Sequence, residues 1–187
     1  MKSVEKNRIK SVARKIGFHD KGDFLVRARS KDIIAGLAID GAPSSTYVWT
    51  FLLPAFDDLE FMHMSLGARV VNLATLEQPL EESLKDAWDA ISPIRDAERL
   101  IAYLDAEGIG GEYAEWTRFI CLIRLGKFDE AEGMLSSVKN LTAASIPQKL
   151  KEMDEFKSYG GWAAVQDLLV EWSSRTDQLV SGVPLEL

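Results

Sequence analysis

The chain has 187 residues, of which 47% are hydrophobic and 27% charged, as is typical of one globular domain or of two small ones. Its formal net charge of -7 argues against a protein whose whole surface wraps nucleic acid. Its longest apolar stretches are far shorter than the roughly 20 residues that a membrane-spanning helix requires. The positively charged N-terminus is not followed by the apolar segment of a secretory signal, so we expect a soluble protein of the cytoplasm.

Apolar residues recur at helical spacing over residues 3–17, and Gly17 ends the pattern, so we expect a first helix there. Short segments of strand-like composition follow and predict an antiparallel sheet of about four strands: Phe24–Ser30, Ile33–Ile39, Tyr47–Leu53 and Phe61–Leu66. In the third of these, Tyr47, Trp49 and Phe51 lie on one face. We expect that face to be buried against the first helix or the helical half of the chain.

From Leu80 onwards, apolar residues recur at helical spacing. We therefore divide the chain into an α+β sheet region, residues 1–79, and an all-helical region, residues 80–187. The two regions are compatible with packing as one domain. The helices expected in the second region are Glu81–Ile91, Pro93–Glu107 with Ser92 as its cap, Glu112–Leu125, Phe128–Leu141, Pro147–Tyr159 and Trp162–Val180. The last two are separated by Gly160-Gly161 and should form an antiparallel hairpin. The predicted fold is α+β, with an N-terminal helix on the sheet and a C-terminal bundle of helical hairpins.

Charge divides along the same boundary. Residues 1–79 carry 11 basic and 9 acidic side chains, whereas residues 80–187 carry 11 basic and 20 acidic ones. The basic excess is concentrated in residues 1–31, which have 10 basic and 3 acidic side chains, enough to shape the local potential in cellular salt. The sequence therefore predicts a molecule with a positive and a negative end.

Four cations of the first helix stand four residues apart and so form one stripe: Lys2, Lys6, Lys10 and Arg14. Aligned cations of this kind provide a docking surface for phosphates or for an acidic partner. Lysines equally fill the solvated side of an amphipathic helix, and that alternative stays open.

Two arginines of the first predicted strand, Arg27 and Arg29, share one side of it, opposite Phe24, Val26 and Ala28. Arginine on an exposed sheet face can bind carboxylates or phosphates through two parallel hydrogen bonds. It also discourages the pairing of sheet edges, which is the alternative interpretation. Both arginines belong to the candidate interaction surface.

One acidic cluster resembles a metal or acid-base site: Asp57, Asp58, Glu60 and His63. A catalytic metal needs about three ligands that converge from rigid elements, whereas these three carboxylates lie on one predicted loop. We therefore interpret them as a solvated acidic loop. The sequence also has no Gly-x-Ser-x-Gly elbow, no phosphate-binding glycine loop with lysine and no paired cysteines. We expect no catalytic residue, no metal and no cofactor.

The last predicted helix carries an apolar seam that includes Trp162 and Trp172. Either the preceding helix of the same chain covers this seam, or a second copy or a partner helix packs on it with the tryptophans as anchors. Both tryptophans are therefore part of the candidate interaction surface, and a homodimer through the last helix is an open alternative.

The segment Leu125-Gly126-Lys127-Phe128-Asp129-Glu130-Ala131 resembles the connection between the two helices of a tetratricopeptide repeat, through its glycine, its aromatic residue and its final alanine. Phe119 departs from that family, which has a small residue at this position. No second copy is visible at a period near 34 residues, and such repeats stack to bury their faces. The resemblance implies a helical hairpin over residues 112–141 with a protein-binding surface, and no solenoid.

The N-terminal part, with its Ile16-Gly17-Phe18 exit from the first helix and its strand ending Leu52-Leu53-Pro54, resembles small bacterial α+β domains of uncharacterised function. Some of those domains are encoded near toxin-immunity genes. The resemblance implies a non-enzymatic binding role and identifies no functional residue.

These features predict a small, non-enzymatic protein-interaction module of the adaptor or immunity type, which binds a protein partner through charge complementarity. One alternative is an enzyme or small-ligand binder with a site between sheet and helices, which a pocket with convergent polar groups would favour. Another, less favoured, is a nucleic-acid binder that uses the basic first helix and binds with strong salt dependence.

Overall fold

The computed structural model describes residues 2–42, 45–143 and 145–185, and it has the predicted α+β fold. Helix α1 (Lys2–Lys15) is followed by strands β1 (His19–Lys21), β2 (Phe24–Arg29), β3 (Ile33–Gly41), β4 (Thr46–Pro54) and β5 (Arg69–Asn72). A short 3-10 helix (Leu73–Thr75) leads to α2 (Leu80–Ile91), α3 (Ala97–Ala106), α4 (Glu112–Arg124), α5 (Phe128–Val138) and α6 (Ile146–Thr176). The five strands form one antiparallel sheet in chain order. Within the described ranges, no helix is long and apolar enough to cross a membrane.

The two faces of the sheet pack against different parts of the chain. Val48 and Leu52 of β4 belong to a large core cluster that includes side chains of α1, α2 and the later helices. Phe51, on the other face of β4, belongs to a smaller core cluster with Val180 and Val183, which follow α6. Phe51 is thus covered by the turns after α6, and the partly buried Trp49 packs against the same cluster, whereas Tyr47 is partly buried and belongs to neither cluster. The expectation of a buried aromatic face is confirmed for Phe51 and only in part for Trp49 and Tyr47.

The sheet differs from the predicted one at both edges. The segment Phe61–Leu66 is irregular, so the prediction of a strand there is wrong, and β5 pairs with β4 instead. This segment has an apolar residue at every second position, Met62, Met64 and Leu66, because Met62 and Met64 pack against the smaller core cluster and Leu66 is buried in the larger one. β1 was not predicted because its residues are polar, and it is held by backbone pairing with β2.

The start of α3 also differs from the predicted one. Asp96 caps this helix, because its side chain accepts a hydrogen bond from the Arg99 N–H at 2.8 Å. Ser92 instead lies at the end of α2, where its N–H donates to the Trp88 carbonyl oxygen. The Ser92-Pro93 pair therefore ends one helix rather than beginning the next, and Asp96 provides the side-chain oxygen that the first turn of α3 needs.

α6 folds back on itself at Gly160-Gly161, where the backbone is not helical. The contacts between its first arm, residues 146–159, and its second arm, residues 162–176, show that the two lie side by side. The Trp172 indole N–H donates to the Glu152 carboxylate at 3.2 Å, although residues 20 positions apart in a straight helix are separated by about 30 Å. The arrangement agrees with the predicted hairpin.

Gly36 of the central strand β3 has no room for a side chain, because a Cβ atom there would lie 2.1 Å from the Leu25 carbonyl oxygen of β2. We expect Gly36→Ala to lower the free energy of unfolding by roughly 2–3 kcal/mol, since the neighbouring backbone must move. Gly133→Ala in α5, with nothing within 4 Å of the added atom, is the control and should stabilise by about 0.5–1 kcal/mol. Urea denaturation checks both values, and a Gly36→Ala protein as stable as the wild type would contradict this packing of β2 on β3.

Candidate functional site

The structure pairs three of the four stripe cations of α1 with carboxylates of the same chain: Lys6, Lys10 and Arg14. Lys6 Nζ lies 2.8 Å from the carboxylate of Asp23. Lys10 and Arg14 share the carboxylate of Asp20, at 3.2 and 2.6 Å. The fourth cation, Lys2, has a side chain outside those described. The stripe therefore fixes α1 to the β1–β2 hairpin.

Arg27 and Arg29 are separated by a β-bulge in β2, which interrupts the alternation of the strand. The Arg27 guanidinium lies over the rings of Phe18 and Trp88, 5.4 and 4.9 Å from their centroids. Arg29 instead forms an ion pair with Asp177, just after α6. The expectation that the two share one side of the strand is wrong, and each holds a different part of the chain against the sheet.

The chain's own helices cover the apolar seam of α6. Trp172 is completely buried, and its ring lies 6.3 Å from that of Trp116 in α4. Trp162 is partly buried and stacks on Phe128 of α5, with a centroid separation of 6.3 Å. Its indole N–H donates to the Glu132 carboxylate at 3.0 Å. The Trp172 ring consequently offers no surface to a partner in this arrangement.

Asp57 differs most from its interpretation as a solvated loop residue, because it is fully buried. One carboxylate oxygen, Oδ1, accepts hydrogen bonds from Lys149 Nζ at 2.6 Å and from the Trp116 indole N–H at 3.2 Å. The other, Oδ2, accepts one from the Tyr113 hydroxyl at 2.8 Å. The solvated-loop interpretation is wrong for this residue, since three hydrogen-bond donors, one of them the positively charged Lys149, take the place of water around it.

The main chain next to Asp57 is held by Thr176, at the end of the second arm of α6. The Thr176 hydroxyl donates to the Asp57 carbonyl oxygen and accepts a hydrogen bond from the Leu59 N–H at 3.0 Å. The loop after β4 is thus bound to α4 and to both arms of α6. We call Asp57 and its four side-chain partners, Tyr113, Trp116, Lys149 and Thr176, the Asp57 network.

The other members of the acidic cluster do not converge on Asp57. Asp58 forms an ion pair with Arg175 at 2.9 Å, and Glu60 is exposed. His63 packs edge-on against the ring of Tyr113, with 4.1 Å between the ring centroids. In the part of the chain that the structure describes, no three His, Cys, Asp or Glu side chains are grouped as a metal site.

A cavity of about 190 Å³ lies beside the Asp57 network, between the loop after β4, the start of α4 and the start of α6. Most of its wall is apolar, and includes Leu59, Phe61 and Ile146. His63 and Lys149 contribute polar atoms to the same cavity. A wider groove of about 600 Å³ runs along β5 and is open to solvent.

Burial shifts the pKa of two side chains at this cavity. It lowers the pKa of His63 from 6.5 to about 4, against the attraction of the Asp57 charge and with some help from Lys149. Burial and the adjacent Asp57 carboxylate raise the pKa of the Tyr113 hydroxyl. Both groups are therefore uncharged at neutral pH. Among the described hydrogen bonds, none joins His63 to a hydroxyl or thiol side chain.

The sequence did not identify the partners of Asp57, because they lie 56 to 119 residues further along the chain. One signal was present for Lys149, which shares the buried side of the first arm of α6 with Ile146, Leu150 and Met153. A lysine within an apolar stripe indicates a buried charge that needs a partner. That pattern could have predicted a buried Lys149, although not Asp57 as its counter-ion.

Comparisons with protein-family models, with curated proteins and with solved structures each gave no match to this chain. The helical hairpin expected over residues 112–141 is present as α4 and α5, joined at Gly126, whose φ of 73° suits a glycine. Phe119 of α4 packs edge-on against Trp162 of α6, with 6.1 Å between the ring centroids. Phe119 is therefore covered by the second arm of α6.

His63 makes the stability of the fold depend on pH between about 4 and 6.5. In the unfolded chain the imidazole binds a proton below its ordinary pKa of 6.5, whereas in the folded protein it stays neutral until the pH approaches 4. Protonation therefore favours the unfolded state, and stability is lost as the pH falls through this window. Relative to His63→Gln, we expect the wild type to lose roughly 1–3 kcal/mol between pH 7 and pH 4.

Urea unfolding of both proteins at several pH values measures this difference. The groups that face the imidazole, Asp57, Lys149 and Tyr113, are the same in both proteins, so their own titration cancels in the comparison. Parallel stability curves for the wild type and His63→Gln would show that the imidazole is not protected from protons.

Proposed function

We propose that the protein is a non-enzymatic protein-interaction module of the cytoplasm, of the adaptor or immunity type, and that it binds a basic partner protein. The surface that carries the binding is the set of exposed carboxylates of the helical half. The observation behind this proposal is that the helical half leaves many of its carboxylates exposed and outside ion pairs, whereas many cations of the chain contact carboxylates of the same chain.

The cations that contact other parts of the chain come from both halves of the sequence. Arg124 of α4 donates two hydrogen bonds to Asp32 in the β2–β3 turn, at 2.8 and 3.0 Å. Further cations pair with carboxylates elsewhere in the chain: Lys6, Lys10, Arg14, Arg29 and Lys149. These pairs reduce the number of cations available to the phosphates of a nucleic acid, so a protein partner is favoured over a nucleic acid.

Many carboxylates of the helical half are exposed and have no ion pair within the described ranges: Glu82, Asp89, Glu98, Glu107, Asp129, Glu130, Glu155, Asp167 and Glu171. They belong to α2, α3, α5 and both arms of α6, or to the turn after α3. A negative surface of this extent attracts a cationic partner and speeds its association. By analogy, acidic proteins that imitate phosphate groups mask the basic sites of nucleases, which is the form of immunity function that we propose.

A variant that neutralises four of these carboxylates tests the proposal: Asp129→Asn, Glu130→Gln, Asp167→Asn and Glu171→Gln together. All four side chains are exposed, so we expect the fold to keep its stability within about 1 kcal/mol. Affinity purification from the native cell, followed by titration of the recovered partner, should show at least about tenfold weaker binding in 0.15 M salt.

The control variant removes two exposed cations of the same half, Lys127→Gln and Lys151→Gln, and should bind at least as tightly as the wild type. The recovered partner must itself be basic, and its affinity must fall as salt is added. Recovery of an acidic partner, or equal binding by the wild type and the neutralised variant, would contradict the proposed function.

A further inference from the structure

The cavity beside the Asp57 network has the size of a single substituted ring. Its volume is about 190 Å³. An apolar protein cavity of about 150 Å³ is known to bind benzene, so this one has space for a six-membered ring with a small substituent.

Three rings contribute to the wall of the cavity: Phe61, His63 and Tyr113. Phe61 lies on the cavity and is nevertheless 64% exposed, so a large apolar ring at its mouth is left uncovered. Phe61 meets His63 edge-to-face at 6.3 Å, and His63 meets Tyr113 in the same way. Aromatic rings pack well in such offset and edge-to-face arrangements, so a further ring fits this wall better than an aliphatic chain does.

The charges around the cavity favour an uncharged ligand. Lys149 is the one cation in the described wall, and its charge is balanced by Asp57, whose carboxylate lies 2.6 Å away. Two acidic residues also line the cavity, Asp58, whose charge is balanced by Arg175, and Glu60, which has no ion pair among the described residues and would repel an anion. A cation would lose its hydration next to the buried ammonium group of Lys149.

His63 provides a hydrogen-bond donor for such a ligand. Its Nδ1 atom accepts a long hydrogen bond from the Ser65 N–H, at 3.4 Å, so the neutral imidazole carries its proton on Nε2. Among the described residues, no hydrogen bond involves Nε2. A ligand oxygen that accepts a hydrogen bond would complete the pairing of this ring.

From these features we propose that the cavity binds a small uncharged aromatic molecule that carries a hydrogen-bonding oxygen, of the class that phenol represents. This binding site is separate from the acidic surface of the helical half and does not depend on it. The ring of the ligand covers Phe61, and its oxygen pairs with His63.

Phenol is the probe, and NMR titration of the full-length protein is the measurement. We expect saturable shifts of resonances from the cavity residues, with a Kd on the order of 1 mM for a molecule of this size. Benzoate, which has the same ring and a negative charge, should bind at least about tenfold more weakly, because its carboxylate would lose its hydration in a largely apolar cavity beside the unpaired Glu60.

Ala143→Leu, which fills the cavity from its wall, should weaken phenol binding at least about tenfold. Ala102→Leu, at an exposed position of α3, is the matched control and should leave the Kd unchanged. His63→Phe keeps the ring and removes the donor, and should weaken phenol binding about five- to tenfold.

If Ala143→Leu does not fold, phenol binding by His63→Phe still tests whether the ligand lies in this cavity. The proposal is overturned if phenol gives no saturable shifts up to about 20 mM. It is equally overturned if His63→Phe binds phenol with the wild-type Kd, or if benzoate binds more tightly than phenol.

Discussion

Asp57, a fully buried carboxylate, holds the loop after β4 against the helical half of this protein. Asp57 lies just after β4, and its charge is balanced by Lys149 of α6, so neither group can be removed alone without leaving the other buried and unpaired. Breaking a pair of this kind typically costs about 3–5 kcal/mol, although the intact pair contributes little net stability. Its role is therefore positional, since it places the loop after β4 against α4 and both arms of α6. The cavity and the uncharged state of His63 both depend on that placement.

Ion pairs and ring contacts within the chain also determine which charged side chains stay available at the surface. The β-bulge in β2 places Arg27 and Arg29 against different parts of the chain. Three cations of the stripe on α1 form ion pairs with carboxylates of the β1–β2 hairpin. The positive charge expected at the N-terminal end is consequently reduced by these ion pairs, although Arg8, Lys15 and Lys31 stay exposed outside them. The exposed carboxylates of the helical half that the proposed function uses have no ion pair among the described residues. The helical half therefore presents a largely negative surface, and our proposed function rests on that charge excess.

Properties that depend on local sequence could be predicted, and those that depend on distant contacts could not. The helical period from Leu80 onwards and the break at Gly160-Gly161 are local, and the structure has both. The alternation of Phe61–Leu66 is also local, but it reflects contacts with two separate core clusters and not strand pairing. Asp57 resembled an ordinary loop acid because its counter-ion, Lys149, lies 92 residues away, so the cavity could not be located before the fold was known.

The most direct test of this account is a double-mutant cycle on Asp57 and Lys149, measured as the free energy of unfolding in urea. Asp57→Asn leaves the ammonium group of Lys149 without its counter-ion, whereas Lys149→Met removes that charge and retains an apolar side chain of similar length. We predict that adding Lys149→Met to Asp57→Asn restores stability, with a coupling energy of at least about 2 kcal/mol. Strictly additive losses from the two substitutions would contradict the claim that this pair holds the sheet against the helices.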